Sequence, residues 1–210
     1  MDWNEDGKKD LISGDSTGNV TIFLNQGSDT NPSFGSSFLL SGASVNLRAT
    51  PEVVDWNGDG KKDLLCGEDA GYVNLLLNNG TNAQPAFGSS VRVTYKSATS
   101  TPPVKMSRTS CPVVVDWDHD GKKDLLTGSE SGYAYFYRNI GTIGSPLLAP
   151  VEALKLGTKY LDAGDYSRIE VCDWNNDGQW DLLVGNWSGQ VLLYLGEPLS
   201  TQTGQEWTLY

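Results

Sequence analysis

Short runs of valine, leucine, isoleucine and aromatic residues alternate with polar turns along the whole chain. Residues 112–115 form a β-branched run that stops at an acidic loop, and residues 125–128 resume as a second apolar run beyond it. A tight turn at Glu130, Ser131 and Gly132 then leads into 133–139, a third run crowded with aromatics. The same succession predicts first strands at 51–54 and 169–172, and third strands at 19–25, 72–78 and 190–195. Beyond polar loops such as 80–85 and 141–146, a more variable fourth strand is expected at 38–40, 91–95 and 151–156. No stretch combines a 3.6-residue apolar period with helix caps and freedom from glycine. The pattern predicts an all-β chain built from four-stranded units.

The period of these units is set by one nine-residue phrase. It reads Asp116-Trp117-Asp118-His119-Asp120-Gly121-Lys122-Lys123-Asp124, and it returns beginning at Asp2, Asp55 and Asp173. Every copy runs into Asp-Leu-(Leu/Ile)-x-Gly, closing at Gly14, Gly67, Gly128 and Gly185. The starts lie 53, 61 and 57 residues apart, a period too long for a helical solenoid and suited to a four-stranded propeller blade. Residues 1–210 therefore read as one repeat domain with repeats at 1–48, 49–108, 109–165 and 166–210. No strand precedes the first loop, so the first repeat lacks its first strand. Residues 205–210 alternate as a strand does, and two places are open to them: the fourth position of the last repeat, or the vacancy in the first.

The loops carry the chemistry. Calcium takes about six to eight oxygen ligands, and a loop with oxygen-bearing side chains at positions 1, 3, 5 and 9 supplies them. Glycine at position 6 allows the sharp reversal, and position 7 adds a backbone carbonyl. The ligand sets expected are Asp2, Asn4, Asp6, Lys8 and Asp10; Asp55, Asn57, Asp59, Lys61 and Asp63; Asp116, Asp118, Asp120, Lys122 and Asp124; and Asp173, Asn175, Asp177, Gln179 and Asp181. Up to four calcium ions are expected, the third loop binding most tightly because it alone has four aspartates. Position 12, held by Ser13, Cys66, Thr127 and Val184, lacks the glutamate of the helix-loop-helix calcium motif. Magnesium, which prefers a water-rich shell, suits such a cage less well. The competing reading is an acidic turn closed by Asx hydrogen bonds without metal.

Charge follows from the same loops. Their ligand positions hold 13 of the 26 acidic residues, and four divalent cations would add eight positive charges, moving the formal charge from −11 to −3. The acidity is thus mostly a metal-binding inventory. Without a basic patch interleaved with aromatics, nucleic acid is not an expected partner. No apolar run reaches membrane-spanning length. Cys66, Cys111 and Cys172 lack metal-ligand spacing and read as buried free thiols, with one disulfide and a leftover thiol as the alternative in an oxidising compartment. The chain begins directly on an acidic loop with no leader pattern, as a piece of a longer protein would.

The phrase D-W-N-x-D-G-K-K-D-L-L-x-G, followed by a third strand ending in asparagine, resembles the FG-GAP/VCBS repeats of integrin-α-like β-propellers. The resemblance covers nearly the whole chain. It implies blades of four antiparallel strands, with the calcium loop joining the first two. It also implies an extracellular or cell-surface setting and adhesion, carbohydrate binding or protein binding. Such propellers usually have more blades than the four motifs here, so a partial ring, a ring completed by a homo-oligomer, and closure by four blades all stay open.

Other residues weigh on function less directly. Trp3, Trp56, Trp117 and Trp174, fixed at position 2, read as packing between blades. Trp180, Trp187, Tyr133 and Tyr135 break the repeat and are read as rim packing first, sugar-stacking platforms second. His119 reads as a solvated variable residue at a position free to vary, and the paired lysines as screening for their own loops. A lone histidine assembles no nucleophile and base. The leading expectation is a non-enzymatic, calcium-binding propeller module. The alternatives are the propeller of a polysaccharide lyase or glycoside hydrolase, and a structural fragment that assembles with itself.

Overall fold

The structure, a computed structural model, describes residues 1–196 and the backbone of residues 207–209. The described residues contain no helix. Blade 1 has three strands, β1 (Leu11–Gly14), β2 (Asn19–Leu24) and β3 (Ser36–Ser44). Blade 2 has four: β4 (Thr50–Val54), β5 (Asp63–Gly67), β6 (Val73–Leu76) and β7 (Val91–Arg92). Blade 3 comprises β8 (Cys111–Val115), β9 (Asp124–Gly128), β10 (Tyr135–Tyr137) and β11 (Glu152–Ala153). A small hairpin, β12 (Lys155–Leu156) and β13 (Lys159–Tyr160), follows it. Blade 4 comprises β14 (Arg168–Cys172), β15 (Asp181–Gly185), β16 (Val191–Gly196) and β17 (Trp207–Leu209). Each blade is an antiparallel meander in chain order, and the blades stand side by side without closing a ring.

The first blade lacks an inner strand, as the sequence predicts. Met1 stands where that strand would end: its carbonyl accepts the Asp10 amide at 2.5 Å, as Val54 pairs with Asp63 and Cys172 with Asp181. The terminal segment is settled by pairing of β17 with β16, Leu209 opposite Tyr194 and Trp207 opposite Gly196. It is the fourth strand of blade 4 and does not swing back to blade 1. The other fourth strands are shorter than expected in blades 2 and 3 and longer in blade 1. In blade 3 the expected strand at 151–156 is divided, because its second half turns at Gly157, with φ +59°, into the β12–β13 hairpin.

Alternation along the strands gives every blade two apolar faces, and the core consists of three clusters lying between blades. Leu64 turns toward blade 1, joining Trp3, Val20, Ile22 and Leu76. Its neighbour Leu65 turns toward blade 3, joining Trp56, Val73, Leu125 and Tyr137. The third cluster joins Trp117, Leu126 and Phe136 of blade 3 to Ile169, Leu182, Val184 and Tyr194 of blade 4. Position 2 of loops 1, 2 and 3 therefore packs against the following blade, as its repetition suggests, whereas Trp174 of loop 4, expected to pack in the same way, has no following blade and is exposed. The glycine ending each second strand has the same cause. A Cβ on Gly14, Gly67 or Gly128 would lie 2.0–2.3 Å from the carbonyl oxygen of Ala49, Ser110 or Ser167, on the segment that leads into the next blade.

The three cysteines are unpaired, as expected; Cys66 is buried, whereas Cys111 and Cys172 are only half-buried. Burial pushes the Cys66 thiol up to about 12, which makes it a packing residue and not a nucleophile.

Trp56→Ala should cost about 3–5 kcal/mol, because it empties the cluster between blades 2 and 3. Ile140→Ala, at a side chain 47% exposed, should stay within about 0.5 kcal/mol of the parent. Urea unfolding followed by tryptophan fluorescence and circular dichroism measures both.

Candidate metal centre

Loops 2, 3 and 4 connect β4 to β5, β8 to β9 and β14 to β15, and loop 1 leads into β1. One hydrogen-bond scheme recurs in all four. The position 1 carboxylate accepts the amides of positions 5 and 6: Asp116 takes those of Asp120 at 2.9 Å and Gly121 at 3.0 Å. Asp2, Asp55 and Asp173 repeat both bonds. Position 5 in turn accepts the position 7 amide, at 2.8–3.0 Å from Lys8, Lys61, Lys122 and Gln179. The chain coils around its own side-chain oxygens.

Such coiling requires left-handed backbone twice per loop. Position 6 is glycine with φ of 83–85° in every copy. Position 4 is also left-handed, with Glu5 at φ 62°, Gly58 at 72°, His119 at 57° and Asn176 at 58°. This corrects the expectation that position 4 is unconstrained: its chemistry varies while its backbone does not. His119 is also not merely solvated, since its ring stacks on Trp180 at 5.6 Å.

The position 9 aspartate is a staple. Asp124 is fully buried, and its two oxygens accept the amides of Trp117 at 3.0 Å and Asn139 at 2.6 Å. Asp10, Asp63 and Asp181 make the same pair of bonds, reaching the position 2 amide and the amide of Asn25, Asn78 or Gly196 at the end of the third strand. The asparagines continue the scheme; Asn78 Oδ1 accepts from Gly80 and Ala86 and so closes the loop after β6. Burial raises the Asp124 carboxyl to about 6 and pushes Asp63 upward as well.

Loop 3 differs from the others at position 3. In loops 1, 2 and 4 an asparagine donates Nδ2–H to the position 5 carboxylate, at 3.2, 3.3 and 2.8 Å. Asp118 has no such proton to give. Its Oδ2 pairs with Arg138 at 2.7 Å, while its buried Oδ1 has no hydrogen-bond partner. Asp120 is instead held by the Lys122 amine at 2.7 Å, which keeps its carboxyl below the usual carboxylate range. Oxygens of Asp116, Asp118 and Asp120 converge to within 4.8 Å of one another. The orphaned Asp118 oxygen and this convergence fit a hard divalent cation. Asp124 lies outside that group, occupied by its two amides, although each of its oxygens keeps a second lone pair.

The lysines divide their work. At position 7, Lys61 and Lys122 reach the position 5 carboxylate of their own loop, at 3.6 and 2.7 Å, and screen it as expected. Position 8 acts elsewhere and corrects that expectation. Lys62 Nζ donates to the Trp3 carbonyl at 3.1 Å, Lys123 Nζ to the Asp55 carbonyl, and Trp180 Nε1 to the Asp116 carbonyl at 2.8 Å. A donor at position 8 thus latches blades 2, 3 and 4 each to the loop of the blade before it. The replacement of lysine by tryptophan, another long side chain that carries an N–H donor, was the available signal.

Side-by-side antiparallel meanders of three or four strands, each with an acidic loop leading into the same strand, define a β-propeller-like repeat protein. The model of the FG-GAP-like repeat family matches residues 2–66, 55–127 and 116–184, and the chain belongs to that family. Each match runs from one acidic loop through the next, so the family's unit bridges two adjacent blades. No curated protein matches the chain.

Without metal, stability should fall as pH rises from 3.8 to about 6, because the folded protein keeps the Asp124 proton that the unfolded chain has released. A second fall should follow up to about 7 from Glu52, which burial and then Glu170 raise from 4.5. Melting temperatures across this range in excess chelator test both, and Glu52→Gln should flatten the upper part alone.

Proposed function

We propose that the chain is a non-enzymatic, calcium-stabilised propeller module that binds a carbohydrate or an extracellular protein outside the cell. The observation supporting calcium is the convergence of Asp116, Asp118 and Asp120 around a buried Asp118 oxygen with no partner. In loop 3 these three carboxylates, with Asp124 and the carbonyl of Lys122, would hold the ion; in loops 1, 2 and 4 the Asn4, Asn57 and Asn175 oxygens replace Asp118. Bound calcium supplies the positive charge that clustered carboxylates need. The chain's part is to pre-form the cage through the amide bonds to position 1, so that little ordering remains when the ion enters. Binding to the folded loops alone stabilises the fold by mass action.

Calcium at a hundred times its Kd should add about 2.7 kcal/mol per site and raise the melting temperature by roughly 2–4 °C for each kcal/mol. The gain should shrink toward pH 4 as the carboxylates protonate. Differential scanning calorimetry in calcium and in EGTA measures this, and identical melts would sink the calcium reading. Asp118→Ala should remove the strongest site seen by titration calorimetry and leave a folded protein.

Recognition is assigned to side chains that the repeats do not share. Trp187 is 77% exposed on the β15–β16 turn, its ring 5.2 Å from that of Tyr166. Tyr160 is 61% exposed and edge-on to Tyr133. Exposed aromatic faces with polar surroundings suit the apolar faces of sugars. Tyr135 and Trp180 are excluded from that role, since both pack against inter-blade clusters. Glycan-array binding without turnover is expected, and Trp187→Ala should abolish it while the calcium-dependent melt stays unchanged. Release of product from an acidic polysaccharide would favour an enzyme instead.

A further inference from the structure

Both ends of the blade array present a surface that is buried everywhere else in the chain. The leucine that faces the preceding blade is 0% exposed at Leu64, Leu125 and Leu182, and 47% exposed at Leu11. The position 2 tryptophan that faces the following blade is 4%, 6% and 8% exposed at Trp3, Trp56 and Trp117, and 58% at Trp174. Val73, facing blade 3, is fully buried, whereas its counterpart Val191 is 73% exposed. The latch is also open at both ends. Lys9 occupies position 8, and its side chain is exposed with no hydrogen-bond or ion-pair partner among the described residues, while the Asp173 and Trp174 carbonyls stand where Asp55 and Trp3 receive their lysines.

We propose that the blade 4 face is covered by blade 1 of a second copy of this chain, and reciprocally, so that two chains close one ring. The contact continues an interface the chain already makes three times. Trp174 would pack where Trp3, Trp56 and Trp117 pack, against the partner copy's Leu11 and Phe23. Lys9 would donate to a loop 4 carbonyl as Lys62 and Lys123 do in loops 1 and 2. The faces differ from one another, so the contact is head-to-tail, and such contacts form closed rings only when the rotation permits. Four blades leave the ring open here, and propellers run from about four to about eight blades. Two copies make eight, and three would exceed that range. Because blade 1 lacks an inner strand, the pairing leaves Gly185 and Trp187 uncovered, and Trp187 stays available to a ligand.

Light scattering on the purified chain tests this, with calcium added so that the loops are ordered. The expected species has twice the mass of one chain, unchanged on concentration. Leu11→Arg and Trp174→Arg should each halve it, with circular dichroism unchanged because both side chains are already exposed. A single-chain mass for the parent protein overturns the proposal. A Leu11→Arg protein that stays paired would mean that blade 4 faces meet each other, and a mass growing beyond two chains would mean an open filament; either overturns it. None of these outcomes depends on whether the module binds a sugar.

Discussion

Everything in this structure hangs on a buried carboxylate. Asp63, Asp124 and Asp181 are fully buried and Asp10 nearly so, and none forms an ion pair with a lysine or arginine among the described residues. What holds each is two backbone amides, one seven residues before it and one fifteen after. Charge-assisted bonds of this kind tie the start of a loop to the end of the third strand, so one side chain fixes the first three strands of a blade. The desolvation shows in Asp124, whose proton is retained up to about 6. A buried anion beside three further carboxylates is an unstable arrangement unless positive charge lies close by. Lysines at position 7 supply part of it, Lys61 and Lys122 reaching the position 5 carboxylates of their own loops.

The second constraint is that no blade buries both of its faces alone. A strand carrying apolar residues on successive positions, such as Leu64 and Leu65, needs a neighbour on either side, and the core consequently lies between sheets. Stability becomes a chain of nearest-neighbour terms: a tryptophan on the next blade, a glycine that lets the next lead-in approach, and a position 8 latch. At the ends of such a chain these terms go unmet, and Gly185 is open on the side where Gly14, Gly67 and Gly128 are in contact.

Blade count, strand order, the missing first strand and the inter-blade role of position 2 were legible because each follows from a repeated residue with one geometric use. The features that escaped are those in which a repeated residue has two uses. Adjacent lysines such as Lys122 and Lys123 are identical in sequence, yet strand geometry sends one to its own loop and the other to the Asp55 carbonyl. Variation at position 4 suggested freedom because chemistry varies there, and a left-handed φ leaves no trace in Glu5 or His119 as it does in Gly58. The division of the fourth strand in blade 3 was hidden for a similar reason: Gly157 is one of 24 glycines, and only the register of Lys155 with Tyr160 marks it as a hairpin.

Position 3 shows how one atom changes the electrostatics of a loop. Asparagine there is both acceptor and donor, and its Nδ2–H bridges to position 5, so loops 1, 2 and 4 close upon themselves with one fewer negative charge. Aspartate keeps the acceptor and loses the donor. Loop 3 consequently draws in Arg138 from the end of β10 and turns the Lys122 amine onto Asp120, and still leaves one Asp118 oxygen unbonded. The same backbone thus carries three loops that need a cation less and one that needs it more. Loop 3 also sits between two neighbours, latched forward by Trp180 and backward by Lys123. Charge at that one loop therefore bears on both interfaces of blade 3.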